Sequence, residues 1–179
     1  MSAHAYLRVA TRAAHDQVDS HFSGFNLSDR SGYTRFLAAQ AAAFLPIERA
    51  LDEAGAEALV ADWQHRRRSH LLRDDLAQLG AAIANPIAAP RFDSPEALLG
   101  AIYVLEGSRL GGTMLARSVG IGFPRRFLGA AAPHGGWKGF IALLEQHLVS
   151  HVQRERAGNS AILTFDCFFQ AAASSLDVR

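Results

Sequence analysis

The sequence of 179 residues predicts an all-α protein that forms one domain over residues 1–179. Three observations predict this class. Apolar residues recur at intervals of three and four along most of the chain, which is the period of one helix face. No stretch alternates apolar and polar residues as a strand would. Proline and glycine fall mainly between the periodic stretches, and a chain of this length can bury a complete hydrophobic core.

Charge and composition exclude several function classes. The chain has 18 basic and 17 acidic residues, a net charge of +1, so we expect neither a nucleic acid nor a membrane as partner. The single cysteine, Cys167, excludes an internal disulfide framework and is typical of a reducing compartment. No secretory signal is evident, and no apolar run reaches the about 20 residues of a membrane-spanning helix. We therefore expect a soluble, cytoplasmic protein.

The first predicted helix covers residues 2–21. Its apolar stripe consists of Leu7, Ala10, Ala14 and Val18. Beside the stripe runs a chemically mixed row of Arg8, Thr11, His15 and Asp19. We expect the His15 ring to border the interior, where Asp19 can accept a hydrogen bond from one ring nitrogen. Arg8 can hold an anionic group at the edge of a pocket. The residues alone leave a second interpretation open, in which His15 is a histidine of the core that binds no ligand.

A second predicted helix covers residues 33–54. Ser28 or Ser31 can cap it, and Pro46 inside it predicts a kink. The residues expected to point inward are Phe36, Leu37, Phe44 and Leu51. A third helical region, over residues 56–84, is predicted to break between residues 65 and 69. The three arginines at 66–68 indicate a solvated surface run, because three arginines alone are a weak phosphate-binding patch.

A proline-rich linker over residues 85–94 leads to a helix predicted over 95–119, which Asp93 or Ser94 can cap. Its apolar positions are Ile102, Leu105, Met114 and Leu115, and its centre carries Gly107, Gly111 and Gly112. Each of these glycines costs about 1 kcal/mol relative to alanine. Two explanations stay open. Either two helices cross at small residues, or a kinked helix lies against a flat ligand.

Two last helices are predicted over residues 137–156 and 158–175, the latter with Ile162, Phe165, Phe168 and Phe169. His147 and His151 are four residues apart on the first of them, a spacing that can bind a metal. Because no third ligand follows in a recognisable pattern, a solvated helix face is preferred. Phosphate-binding loops and hydrolase nucleophile motifs are not found in the sequence.

Two motifs together resemble the biliverdin-producing heme oxygenases. Leu7-Arg8-x-Ala10-Thr11-x-x-x-His15, followed by Asp19 and Phe22, is similar to the proximal helix of that family. Leu105-Glu106-Gly107-Ser108-x-x-Gly111-Gly112 is similar to its glycine-rich distal helix. The run Tyr-Val-Leu-Glu-Gly-Ser resembles the bacterial branch that accompanies bacteriophytochromes, and residues 157–169 resemble the last core helix.

The resemblance implies a heme oxygenase-like helical bundle with heme b, as substrate and cofactor, between the two helices. His15 would be the proximal iron ligand beside Asp19, and Arg8 would bind a heme propionate, with Lys138 as a second candidate. The catalytic distal wall would consist of Gly107, Ser108, Gly111 and Gly112. This wall would confine dioxygen beside a meso carbon of the porphyrin.

The implied reaction yields biliverdin, carbon monoxide and ferrous iron. Its electrons would come from a ferredoxin or reductase, and its product would supply a bacteriophytochrome. Two residues depart from the family pattern. Some members carry a glutamate where this chain has Asp19, and many heme oxygenases carry an aspartate where it has Ser108. A hydroxyl holds water but adds no charge. Two alternatives therefore stay open: a protein of the same fold that binds or senses heme without degrading it, and a helical interaction protein with an empty pocket.

Overall fold

The computed structural model describes residues 1–133 and 135–176, and in that part of the chain all regular structure is helical, as predicted. The helices are α1 (Ala3–Ala10), α2 (Arg12–Phe22), α3 (Arg30–Glu53), α4 (Ala56–Leu59), α5 (Trp63–Arg66), α6 (Ser69–Gln78), α7 (Pro95–Leu115), α8 (Gly136–His147) and α9 (His151–Leu176). A 3-10 turn over Ala116–Ser118 continues α7. None of the described helices is long and apolar enough to span a membrane.

The first predicted helix divides into α1 and α2 at Thr11. The Thr11 hydroxyl donates to the carbonyl oxygen of Leu7 at 2.8 Å, and the Thr11 backbone N–H donates to the same oxygen at 2.9 Å. A threonine side chain that bonds the preceding turn competes with regular helix geometry. The prediction of one continuous helix was therefore wrong, although both segments pack against α9.

Helix α3 runs through the centre of the core, and its predicted inward residues are all buried. Its cap is Asp29, whose carboxylate accepts the Gly32 N–H at 2.9 Å, and not Ser28 or Ser31 as predicted. The helix continues through Pro46. A proline frees the carbonyl four residues earlier, and here the freed Ala42 oxygen accepts the N–H of Ile87 at 2.8 Å. The linker over residues 85–94 thus supplies the bond that Pro46 removes.

Helices α7 and α9 cross closely at Gly100. A Cβ atom at that position would overlap the carbonyl oxygen of Ala157. One turn of α7 earlier, the Ser160 hydroxyl donates to the Ala97 carbonyl oxygen at 2.7 Å. Ser94 caps α7, with its hydroxyl accepting the Ala97 N–H at 3.2 Å, which settles the choice between Asp93 and Ser94. The crossing through small residues therefore exists, but it lies seven residues before Gly107.

The second half of the chain corrects three predictions. Helix α7 ends at Leu115, where Met114 and Leu115 are exposed and not part of the core. The break between the last two helices falls at residues 148–150, where Arg154 donates to the carbonyl oxygens of Leu148 and Val149. His147 closes α8 and His151 opens α9, so the two histidines do not share a helix as expected.

Glu145 of α8 caps the N-terminus of α1. Its Oε2 accepts the Ala3 N–H at 2.8 Å, and its Oε1 accepts the His4 N–H at 3.0 Å. Burial raises the pKa of Glu145, but these backbone bonds and the charge of Arg154 outweigh it and hold the pKa below its ordinary value of 4.5. A carboxyl with a lowered folded-state pKa stabilises the fold above its ordinary pKa and loses that contribution as the pH falls through the folded-state pKa.

We therefore expect Glu145→Gln to reduce the pH dependence of the free energy of unfolding between pH 7 and the acid range below 4.5. Urea unfolding of both proteins across this range measures the effect. The wild type should lose more stability on acidification than the variant. Equal losses in the two proteins would show that the Glu145 carboxylate does not anchor α1.

Candidate functional site

A cavity of about 460 Å³ separates α1 and α2 from α7. Its volume falls within the roughly 300–1,000 Å³ of small-molecule sites. Helices α3, α8 and α9 close the remaining sides with aromatic rings, which include those of Phe36, Trp137, Phe165 and Phe168. The predicted site residues Arg8, His15, Asp19, Gly107, Ser108, Gly111 and Gly112 all line this cavity.

The wall formed by α2 presents His15. Its side chain is 55% exposed, so the ring borders the cavity and is not enclosed in the core. The ring packs edge-on against Phe165, with 5.6 Å between centroids. Nδ1 lies 3.3 Å from an Asp19 carboxylate oxygen, one helical turn away. This neighbour favours a proton on Nδ1 and leaves the Nε2 lone pair for a ligand.

Two arginines stand at the edge of the cavity. Arg8 and Arg12 are both exposed and line it, and neither has an ion-pair partner within the described ranges. Because they are four residues apart, they can bind neighbouring anionic groups. Lys138, the second propionate candidate, is exposed and does not line the cavity. The α8 residue that reaches the cavity is its neighbour Trp137.

The three predicted site glycines of α7 differ in what a side chain would meet. A Cβ atom at Gly107 or Gly111 would meet nothing within 4 Å, so both positions face open space where they line the cavity. A Cβ atom at Gly112 would lie 3.0 Å from the Leu128 carbonyl oxygen. Gly112 therefore also lets the segment after α7 approach the helix, whereas Gly107 and Gly111 keep room for a ligand.

Ser108 is held by a buried arginine. Arg68 is 2% exposed, and its Nη2 donates to Ser108 Oγ at 2.7 Å and to the Leu105 carbonyl oxygen at 2.6 Å. The Ser108 hydroxyl donates to the same Leu105 oxygen at 2.7 Å. With its proton used there, Ser108 Oγ can offer the cavity an acceptor lone pair. The uncharged Ser108 side chain is thus in contact with the positively charged guanidinium of Arg68.

Aromatic rings enclose the Arg68 guanidinium. Its central carbon lies 4.9 Å from the ring centroids of both Phe44 and Phe127, within the range of cation–π attraction. Burial lowers the pKa of Arg68 from its ordinary value, and Arg109 lowers it further, while Glu106 and Glu48 oppose them. The ordinary pKa of a guanidinium is so high that Arg68 stays charged near pH 7.

The arginines at 66–68 are therefore not the solvated run that the sequence indicated, because Arg66 and Arg68 are buried. The Arg67 side chain is 36% exposed and pairs with Asp52 at 2.8 Å. Arg66 and Arg109 both donate to the Glu106 carboxylate, at 2.9 and 3.0 Å, and all three side chains are 4% exposed. Glu48 accepts the backbone N–H groups of Arg68 and Ser69 at 2.7 and 2.9 Å. Carboxylates from α3 and α7 offset the charge of the run and make its burial possible.

Other residues that line the cavity were not predicted, namely His4, Arg12, Gln40, Trp137 and Phe127. The sequence could have indicated that Arg12 lines the cavity, since it follows Arg8 by four residues in a helical pattern. The sequence could not have indicated the contact of Arg68 with the site, because that contact depends on the distant residues Glu48 and Ser108.

Comparison with known proteins identifies the family and the fold of this chain. No family model matches the chain. A heme oxygenase of Xanthomonas campestris pv. campestris (strain 8004) is 36% identical over 118 residues, which cover 63% of this chain and 71% of that protein. The crystal structure of the NO- and CO-bound heme oxygenase from Neisseria meningitidis has the same fold, with a TM-score of 0.83 at 20% identity, over 100% of this chain and 94% of that one. The chain belongs to the heme oxygenase family.

Proposed function

We propose that this protein cleaves heme b with dioxygen and reducing equivalents to biliverdin, carbon monoxide and ferrous iron. One observation carries the proposal. Across one cavity, His15 with Asp19 faces a helix whose Gly107 and Gly111 leave open space. A ligand to iron on one side and a bare backbone on the other suit a flat metalloporphyrin.

The residues of the cavity suit each part of heme. Nε2 of His15 would hold the iron, and Asp19 would fix the orientation of the ring. Arg8 and Arg12 would pair with the propionates at the cavity edge. When bound, heme supplies the oxygen chemistry, and the protein supplies binding, orientation and electrostatics.

On the distal side, the protein restricts space and orders polar groups. Gly107 and Gly111 line the cavity without side chains, so the α7 backbone would approach the substrate there. Ser108 Oγ would accept a hydrogen bond from a water there, while Arg68 holds that oxygen in place. The hydrogen bond from Arg68 is charge-assisted, but it brings a positive charge to Ser108 and not the negative charge of an aspartate.

We also propose that residues 1–179 act as one domain in the cytoplasm, and that the biliverdin serves a bacterial phytochrome. The support for the last step is the run Tyr-Val-Leu-Glu-Gly-Ser at 103–108, which resembles the branch that accompanies these receptors. The single cysteine supports a reducing compartment.

Titration with hemin tests the proposal. The wild type should give a saturable, sharp absorption band of histidine-bound heme, which ascorbate and oxygen should convert to biliverdin. His15→Ala should lose the band, because His4, the other histidine that lines the cavity among the described residues, packs against Tyr103 and Trp137. His21→Ala is the matched control. His21 lies on the same helix and packs on Phe169, but it does not line the cavity, so the band should persist.

Two results would contradict the proposal in different ways. If the wild type gives no saturable band, it does not bind heme and an interaction protein with an empty pocket becomes the better description. If the band forms but survives reductant and oxygen without biliverdin, the protein binds heme without degrading it.

A further inference from the structure

A buried carboxylate on α6 holds the segment that follows α7. The Asp75 side chain is fully buried, and its two carboxylate oxygens accept the backbone N–H groups of Arg126 at 3.2 Å and of Phe127 at 2.9 Å. Among the described residues, no cation lies within ion-pair distance of Asp75, and the Arg126 side chain pairs with Asp74 instead. The hydrogen-bond partners of this carboxylate are therefore backbone groups of one distant segment.

The burial of Asp75 has a cost. Burial raises the pKa of Asp75, because the ionised carboxyl loses its contact with water, and the two backbone hydrogen bonds only partly oppose the shift. A buried charge without an ion-pair partner is unfavourable. This cost offsets part of the stability that the two bonds contribute. What remains specific to Asp75 is the position that it fixes for the backbone of Arg126 and Phe127.

The backbone that Asp75 fixes carries one wall of the cavity. Phe127 and Leu128 are 2% and 3% exposed, and both line the cavity. A Cβ atom at Gly112 would meet the Leu128 carbonyl oxygen at 3.0 Å, so this wall lies directly against the glycine-bearing helix α7. A shift of the segment would therefore change the width of the cavity beside α7.

The same segment also fixes Arg68. The Phe127 ring centroid lies 4.9 Å from the guanidinium carbon of Arg68, and the ring packs edge-on against Phe44 with 5.1 Å between centroids. Arg68 in turn donates to Ser108 Oγ at 2.7 Å. Asp75 thus holds the backbone of a residue whose ring contacts the guanidinium that orders Ser108.

We propose that Asp75 is a positioning residue of the heme site, which acts through Phe127 and Leu128. The inference rests on the proposed function, since the wall that these residues form would bound the porphyrin. Asp75 itself does not line the cavity. With both N–H groups bound, the wall is held in one arrangement before the ligand enters, and such preorganisation strengthens binding. Without the carboxylate, the wall would be less well fixed and hemin would bind more weakly.

The test is Asp75→Asn, which keeps the size and shape of the side chain. The NH₂ group that replaces one carboxylate oxygen can only donate, so one backbone N–H would face another donor. Asp52→Asn is the matched control. The Asp52 carboxylate also has two partners, Trp63 Nε1 at 2.6 Å and Arg67 at 2.8 Å. Neither Asp52 nor these partners line the cavity.

Three measurements are made on the full chain. Backbone hydrogen exchange over residues 123–128 should be faster in Asp75→Asn than in the wild type. Hemin titration should give a Kd that is weaker by about tenfold, within the effect of one unpaired buried donor. In the CO complex of the reduced protein, the C–O stretching frequency should shift, because it responds to the nearby charge of Arg68. Asp52→Asn should lower the urea midpoint and leave these three readouts unchanged.

Two results with Asp75→Asn would overturn the inference. A variant that loses stability but keeps the wild-type Kd and C–O frequency would show that Asp75 is structural and does not position the site. Changes of equal size in Asp75→Asn and Asp52→Asn would show a general effect of lowered stability.

A second variant applies if Asp75→Asn does not fold. Phe127→Leu keeps both backbone N–H groups that Asp75 accepts and alters the wall alone, so its Kd should also be weaker. A wild-type Kd in Phe127→Leu overturns the inference. A wild type that binds hemin but forms no biliverdin contradicts the proposed function alone, since none of the three measurements requires turnover.

Discussion

Gly107→Leu is expected to abolish hemin binding without weakening the fold. A side chain at this position meets no protein atom within 4 Å of its Cβ, and Gly107 lines the cavity. The leucine side chain would therefore occupy space that the porphyrin needs. Leucine is also the better helix former by up to about 1 kcal/mol. Hemin titration should show no saturable band, while the urea midpoint should stay equal to that of the wild type or rise.

Two other glycines provide controls for this substitution. Gly139 lies on α8, has no atom within 4 Å of its Cβ position and does not line the cavity, so Gly139→Leu should bind hemin normally. Gly100→Ala should show the opposite pattern, a marked loss of stability, because its Cβ would overlap the Ala157 backbone. Normal hemin binding by Gly107→Leu would mean that this position does not face the substrate.

The comparison of these glycines shows what sequence periodicity can predict. The spacing of Gly107 and Gly111 placed them on one helix face, and both do face open space in the cavity that His15 also lines. The relation between His15 and Asp19 was predictable for the same reason, since it depends on one helical turn. Local rules succeed where both partners lie on the same helix.

Contacts between distant segments could not be predicted in this way. Pro46 does not end α3, because the N–H of Ile87 satisfies the carbonyl that the proline frees. Arg68 is buried because Glu48, Leu105 and Ser108 come to it from two other helices. A run of three arginines carries no sign of such partners, so the sequence favoured a solvated surface.

Glu106→Gln is expected to destabilise the protein by about 3–5 kcal/mol, the range for breaking a buried ion pair by removing one partner. The Glu106 carboxylate lies between Arg66 and Arg109, and all three side chains are 4% exposed. Its neutralisation would leave the buried Arg109 guanidinium without a carboxylate partner and Arg66 with the partly exposed Asp62 alone. Urea unfolding measures the loss. Glu53→Gln is the control, because Glu53 is 70% exposed beside Arg49, and exposed pairs contribute about 0–1 kcal/mol.

Arg68→Met should cost less than Glu106→Gln, although Arg68 is buried even more completely. The hydrogen-bond partners of the Arg68 side chain are the uncharged oxygens of Leu105 and Ser108, so no carboxylate loses its direct partner. Methionine also replaces a charge that is costly to bury, and we expect a loss of about 1–3 kcal/mol. If Arg68→Met proves as destabilising as Glu106→Gln, the carboxylate of Glu106 neutralises Arg68 as well. In that case Arg68 could not be removed from Ser108 without destabilising the whole ionic network.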